Sequence, residues 1–110
     1  MTKDKENNIE KLNLFLELKD NWNDNNAKPF TSKLIEKVKL IISNVGYQPY
    51  IFPTACNSIQ LEYEMENGNY LEFEIFENSI KIFQVINSIE KTFYISEDII
   101  PTYINNFYNG

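Results

Sequence analysis

The sequence predicts an α+β fold: two N-terminal helices, a four-stranded antiparallel meander and a short C-terminal helix, all in one domain spanning residues 1–110. Three observations predict it. Apolar residues recur at helical spacing up to about residue 44 and at alternate positions from about residue 50 onward. N-cap residues, Thr31 and Asp98, stand ahead of the second and third helical stretches. Three successive hairpins, each registered by its own turn, agree on a single inner face.

The first helix is expected over residues 4–19, with Ile9, Leu12, Phe15 and Leu16 as its apolar stripe. Leu14 and Leu18 widen that stripe, which predicts cover on more than one side. The second helix is expected from about Ser32 to Asn44. Thr31 caps it, and Phe30 and Ile35 are placed for a hydrophobic staple. Leu34, Ile35, Val38, Ile41 and Ile42 form its buried face, and Gly46 falls where a left-handed C-terminal cap is expected.

Tyr50-Ile51-Phe52 reads as a short extended segment ended by Pro53, and residues 58–65, 70–76, 80–86 and 90–95 read as the four strands. Residues directly opposed across a hairpin share a face, so parity decides each register. A two-residue Asn67-Gly68 turn would set Tyr63 against Glu72 and Leu61 against Glu74. A three-residue loop, Glu66-Asn67-Gly68, pairs Tyr63 with Leu71, Leu61 with Phe73 and Ile59 with Ile75. The burial pattern therefore selects a type I turn followed by a left-handed Gly68. The next hairpin pairs Ile75 with Ile80, Phe73 with Ile82 and Glu74 with Lys81 across Glu77-Asn78. The last pairs Ile82 with Phe93 and Ile80 with Ile95 across Asn87-Ser88. A final helix is expected from about Ile99 to Tyr108, capped by Asp98, with Pro101 in its first turn, where a missing N–H costs nothing.

With 43% hydrophobic and 15% aromatic residues, the chain has the material for a packed core. Its net charge of −6 argues against direct nucleic-acid binding and against an anionic membrane surface, and points to a basic protein as partner. One cysteine, Cys56, permits no internal disulfide and fits a cytoplasmic protein. The N-terminal residues carry no apolar run, so no signal peptide is expected, and no stretch is apolar enough for a membrane span.

The usual catalytic signals are missing. Without histidine, the commonest general base and zinc ligand are absent. Three glycines leave no phosphate-cradling loop, and a lone Cys56 has no activating base beside it. No cofactor and no metal site are expected, and the protein is read as a non-enzyme.

The registers gather Glu62, Glu64, Glu72 and Glu74 on the outer sheet face, with Glu62 opposite Glu72 and Gln60 opposite Glu74. Phe76, Phe83, Val85 and Tyr94 occupy the other side of that face. Like charges opposed across strands are destabilising. Carboxylates beside exposed aromatics have the composition of a protein-binding surface, so Glu62, Glu64, Glu72, Glu74, Phe83 and Tyr94 are the candidate partner-binding residues.

The loop Asn21-Trp22-Asn23-Asp24-Asn25-Asn26-Ala27-Lys28-Pro29 holds the only tryptophan. Trp22 is expected to plug the core where the first helix turns into the second, with Asp24 and its Asn neighbours supplying turn geometry and Pro29 setting the approach to the second helix. An EF-hand pattern begun at Asp20 fails, because Trp22 falls at a ligand position and no Glu stands twelfth. The segment resembles the Asn-Trp-Asp-Gly-Tyr-Gly-Ala-Lys-Pro stretch of a group of small uncharacterised bacterial proteins, in which it lies between two helices ahead of a sheet. Here Asn23 stands for Asp, Asp24 for Gly, Asn25 for Tyr and Asn26 for Gly. Asn and Asp are the least costly replacements for Gly at positive φ. The resemblance implies the fold and brings no activity with it.

The functional expectation is a non-enzymatic, acidic binding protein that inhibits or neutralises a basic, nucleic-acid-handling partner, in the manner of antitoxins, immunity proteins and phage anti-defence or anti-CRISPR proteins. The alternative is a homodimeric accessory or structural protein, formed through the aromatic side of the sheet or an edge strand. An enzyme working with carboxylates alone comes last.

Overall fold

The computed structural model describes residues 3–22 and 28–110. Helix α1 runs Lys3–Phe15 and α2 Ser32–Ser43. Five strands follow: β1 Tyr50–Pro53, β2 Ile59–Glu64, β3 Tyr70–Ile75, β4 Ile80–Ile86 and β5 Ile89–Ile95. A 3₁₀ turn, Glu97–Ile99, leads into α3, Ile100–Asn109. The fold is α+β, and the sheet is antiparallel in the order β1-β2-β3-β4-β5.

The sheet has one strand more than expected. The Tyr50–Pro53 segment pairs along β2, with Ile51 opposite Leu61 and Pro53 opposite Ile59. An edge position makes this possible for a strand ending in proline, because no N–H is then required on the open side.

The three hairpins form in the expected registers. Tyr63 faces Leu71, Leu61 faces Phe73, Phe73 faces Ile82 and Ile82 faces Phe93. Gly68 adopts φ 92°, and its N–H bonds to the Met65 carbonyl at 3.0 Å while Met65 N–H reaches Asn69 O at 2.9 Å. That is the three-residue loop chosen by burial. Asn87 and Ser88 both have positive φ, 51° and 67°, as a two-residue turn matched to strand twist needs. The turn at Glu77-Asn78 is held from α2, where the Lys37 ammonium donates to the carbonyls of Phe76 (2.6 Å) and Glu77 (3.0 Å).

The core lies between the inner sheet face and the helices. Ile59, Leu61, Tyr63, Leu71, Phe73, Ile75 and Ile82 are buried beneath Leu12 and Phe15 of α1, Leu34, Ile35, Val38 and Ile42 of α2, and Ile100 and Ile104 of α3.

Three helix ends differ from expectation. Helix α1 stops at Phe15, four residues early. Leu16, Glu17 and Leu18 donate to carbonyls three residues back, a tightening that ends the helix. Leu14 and Leu16 are consequently exposed, and only Leu18 of the widened stripe packs on the core. At the end of α2, Gly46 is not left-handed. Side-chain amides replace the glycine cap: Gln48 Nε2 donates to Ile42 O and Asn44 Nδ2 to Leu40 O, both at 2.9 Å. Asp98 does not cap α3, because the 3₁₀ turn absorbs it and Ile99 takes the N-cap position without a side-chain bond. Pro101 does lie in the first turn.

Candidate protein-binding face

The outer sheet face is organised in rows that run across the strands. One row is Tyr50–Glu62–Glu72–Phe83–Thr92 and the next is Phe52–Gln60–Glu74–Lys81–Tyr94. A third sets Glu64 beside Tyr70, then Val85 and Glu90. Strands β2 and β3 thus present a central acidic band.

Pairing of β1 adds two residues, Tyr50 and Phe52, to this face. Tyr50, 72% exposed, stands opposite Glu62, and Phe52, 43% exposed, stands opposite Gln60. The acidic band is therefore flanked by aromatics on both sides: Tyr50 and Phe52 on β1, Phe83 and Tyr94 on β4 and β5. The signal was present in the sequence, since an antiparallel match of residues 50–53 with 59–62 puts Ile51 on Leu61 and so shares their inner face. Lys11 of α1 reaches over the Phe52 ring, 5.1 Å from its centroid, and steadies it.

The four glutamates are not equivalent. Glu74 is largely covered. Its Oε2 accepts a 2.6 Å hydrogen bond from Ser58, whose hydroxyl is also 2.6 Å from Thr54 Oγ1, and its Oε1 lies 4.0 Å from the Lys81 ammonium. Ser58 is fully buried, so this carboxylate satisfies a polar group that water does not reach. Glu74 thereby ties the β1–β2 turn to the sheet.

Glu62 and Glu72 face each other directly. The Tyr70 hydroxyl donates to Glu72 Oε1 at 2.7 Å. Burial, followed by the hydrogen bonds to Glu72 and Glu62, pushes the Tyr70 phenol well above its ordinary value. The ring also stacks obliquely on Phe83, with centroids 6.0 Å apart. The single phenol proton is donated to Glu72, and Glu62 lies close enough to add to the shift. Glu64, at the end of β2, is exposed and opposite Tyr70.

At the β1–β2 edge the face dips into a cleft of about 450 Å³. Asp4 and Asn8 of α1, Tyr50, Glu62, Glu64 and Tyr108 are among its walls. Asn8 is held in place by bonds to Gln48 Oε1 (3.0 Å) and Pro49 O (3.1 Å). The cleft joins three carboxylates, Asp4, Glu62 and Glu64, to three tyrosines, Tyr50, Tyr63 and Tyr108, a lining that suits a lysine or arginine side chain.

Trp22 lies apart from this face. Its ring is half-buried and packs on Phe30 with centroids 5.8 Å apart, while Phe30 meets Phe15 at 5.9 Å. The indole N–H donates to Lys28 O at 3.0 Å. Pro29 is exposed, and Asp24 is outside the described residues. Cys56 is exposed in the β1–β2 turn. Among the described residues no cluster of His, Cys, Asp or Glu is arranged to hold a metal ion, and no helix is long and apolar enough to cross a membrane.

Comparison of the chain with family models, curated proteins and solved structures gives no match in any of the three, so the functional reading rests on the geometry of the face.

Proposed function

We propose that the protein is a non-enzymatic binding protein that holds a basic protein partner on its outer sheet face, as an inhibitor of a nucleic-acid-handling protein would. The observation that carries this reading is the Glu62–Glu72 pair, two like charges set opposite each other on an uncovered face, with the neutral Tyr70 hydroxyl bonded to Glu72. Such a pair weakens the free protein and is relieved when a cation settles on it. Exposed Tyr50, Phe52 and Tyr94 on both flanks supply the apolar anchoring area that interface hot spots use. The cleft beside Glu62 and Glu64 gives a basic side chain a recess to enter.

The face divides into binding and structural members. Glu62, Glu64 and Glu72 carry the attraction, and Phe83 shapes the floor beside Glu72. Glu74 is a support, through Ser58 and Lys81.

The test is capture from an extract of the native cell, with wild-type protein and a Glu62→Lys, Glu64→Lys, Glu72→Lys variant immobilised side by side. A basic protein should be retained by the wild type, elute as salt is raised, and be missing from the variant. Retention of the same protein by both, at the same salt, would assign the interface to another surface.

A further inference from the structure

The two edges of the sheet are built differently. Strand β1 has four residues, ends in Pro53, and has Lys11 of α1 lying against its Phe52 ring. Strand β5 has seven residues and no proline, and nothing among the described residues pairs with its far side. An open edge of that length is a template for another strand.

The hairpin geometry settles which groups it offers. The two-residue Asn87-Ser88 turn closes on the Ile86–Ile89 pair, and β5 follows β4 without a bulge to Ile80–Ile95. Alternation along an antiparallel ladder then directs the N–H and C=O groups of Ile89, Lys91, Phe93 and Ile95 toward β4. Those of Glu90, Thr92 and Tyr94 point away from the sheet.

We propose that β5 pairs antiparallel with β5 of a second copy of this chain, about a two-fold axis through Thr92, joining two sheets into one. The strand is self-complementary in this register. Thr92 meets Thr92, Glu90 meets Tyr94, Lys91 meets Phe93 and Ile89 meets Ile95, so all seven residues are paired. The outward-pointing backbone groups of Glu90, Thr92 and Tyr94 find partners of the same kind. The neighbouring symmetric registers that keep the faces aligned are worse. A shift one way sets Lys91 against Lys91, and a further shift sets Glu90 against Glu90. A shift the other way leaves Ile89 and Glu90 beyond the end of the partner strand.

Side-chain exposure agrees with the chosen register. Ile89 is 61% exposed in the single chain and gains the Ile95 side chain as its apolar neighbour. Lys91, a charge on the inner face that would deter pairing with most strands, meets the Phe93 ring instead of another cation. The outer faces of both copies remain on the same side, so the acidic bands are left open and this inference does not depend on the proposed partner.

The experiment is mass measurement by light scattering over a range of concentration, joined to directed cross-linking. Wild-type protein should reach twice the 13.0 kDa chain mass. Thr92→Lys, which sets cation against cation at the axis through an exposed side chain, should stay at the single-chain mass with an unchanged circular dichroism spectrum. In a Cys56→Ser background, Thr92→Cys should oxidise to a covalent dimer, because directly opposed residues of this kind fall within disulfide reach, while Glu90→Cys should not. A wild-type protein that stays at single-chain mass throughout overturns the proposal. So does a dimer that survives Thr92→Lys, or one that cross-links through position 90 and not 92.

Discussion

Glu62 lies directly opposite Glu72 on neighbouring strands, at the centre of an open sheet face. A carboxylate pair in this position lowers stability by a few tenths of a kcal/mol to about 1 kcal/mol. Glu62→Gln should therefore raise the unfolding free energy, by about 0.5 kcal/mol, in urea titrations at low salt. The gain should shrink as salt is added, because partly exposed charges are screened. The same variant should bind the basic partner less tightly. A residue whose removal stabilises the fold and weakens binding is kept for binding. A loss of stability in Glu62→Gln would show that the pair is held by contacts that offset the repulsion.

Glu74 should behave in the opposite way. It accepts the buried Ser58 hydroxyl at 2.6 Å and faces Lys81. Replacing it with alanine removes the charged acceptor of the buried Ser58 hydroxyl, leaving Thr54 Oγ1 as its remaining partner, and takes away the tie of the β1–β2 turn to the sheet, which should cost about 1–2 kcal/mol. Thermal melts of Glu62→Gln and Glu74→Ala should thus move in opposite directions. Equal shifts would mean that the two carboxylates share one role.

Tyr63 is buried, and its hydroxyl donates to the Tyr47 carbonyl at 2.7 Å. Burial, with a smaller contribution from Tyr108, pushes its phenol far above the ordinary range. Burial likewise raises Tyr70, helped by Glu72 and Glu62. In the unfolded chain both phenols lose their protons near pH 10. Above that pH the unfolded state binds fewer protons than the folded one, so stability is intact below about pH 10 and falls as pH rises beyond it. Tyr63→Phe should cost about 1 kcal/mol at neutral pH through the lost hydrogen bond and should make the alkaline fall shallower. Wild type and variant falling in parallel would show that other groups control the alkaline limb.

The hairpins were legible because burial and parity act together: a shift of one residue would have put Glu72 where Leu71 belongs. That argument could choose a three-residue loop at Glu66-Asn67-Gly68 against the preference of Asn-Gly for a two-residue turn. Strand β1 was less legible. It is short, ends in Pro53, and is joined to β2 by a turn in which Thr54 N–H bonds to Ser58 O, with no Asn-Gly signal to announce it. Its omission hid Tyr50 and Phe52 from the candidate face. The different role of Glu74 was invisible for a related reason, since it depends on Ser58 being buried by that turn. Helix ends depart from their sequence signals where two signals compete. Gly46 suggested a left-handed cap, but Gln48 and Asn44 side chains reach the last carbonyls of α2 first.

The two glycines in turns should respond differently to alanine. Gly68 has φ 92°, where an L side chain is strained even though nothing lies within 4 Å of the added carbon. Gly68→Ala should cost roughly 1–2 kcal/mol. Gly46 has an ordinary φ, and its new Cβ would rest 3.5 Å from Asn105 Oδ1, normal van der Waals contact. Gly46→Ala should be neutral or stabilising by up to about 1 kcal/mol, since it restricts the unfolded chain. Chemical denaturation of the two variants checks this, and a large loss in Gly46→Ala would show that the backbone there needs glycine after all.

Trp22 tests whether the loop between the first two helices serves the fold or the interface. Its ring packs on Phe30, which in turn meets Phe15, and its N–H bonds to Lys28 O, so it ties the start of the loop to the approach of α2. Full burial of a tryptophan would make truncation cost about 3–5 kcal/mol, but this ring is only half-buried. Trp22→Ala should therefore cost about 2 kcal/mol. Trp22→Phe should recover most of that, because the contact with Phe30 survives and only the bond to Lys28 is lost. As the sole tryptophan, the residue also reports on its own surroundings, and its fluorescence should change with global unfolding and stay constant when a basic partner occupies the distant sheet face. A fluorescence change on binding, or a Trp22→Ala protein of native stability that no longer binds, would move the interface from the glutamates to this loop.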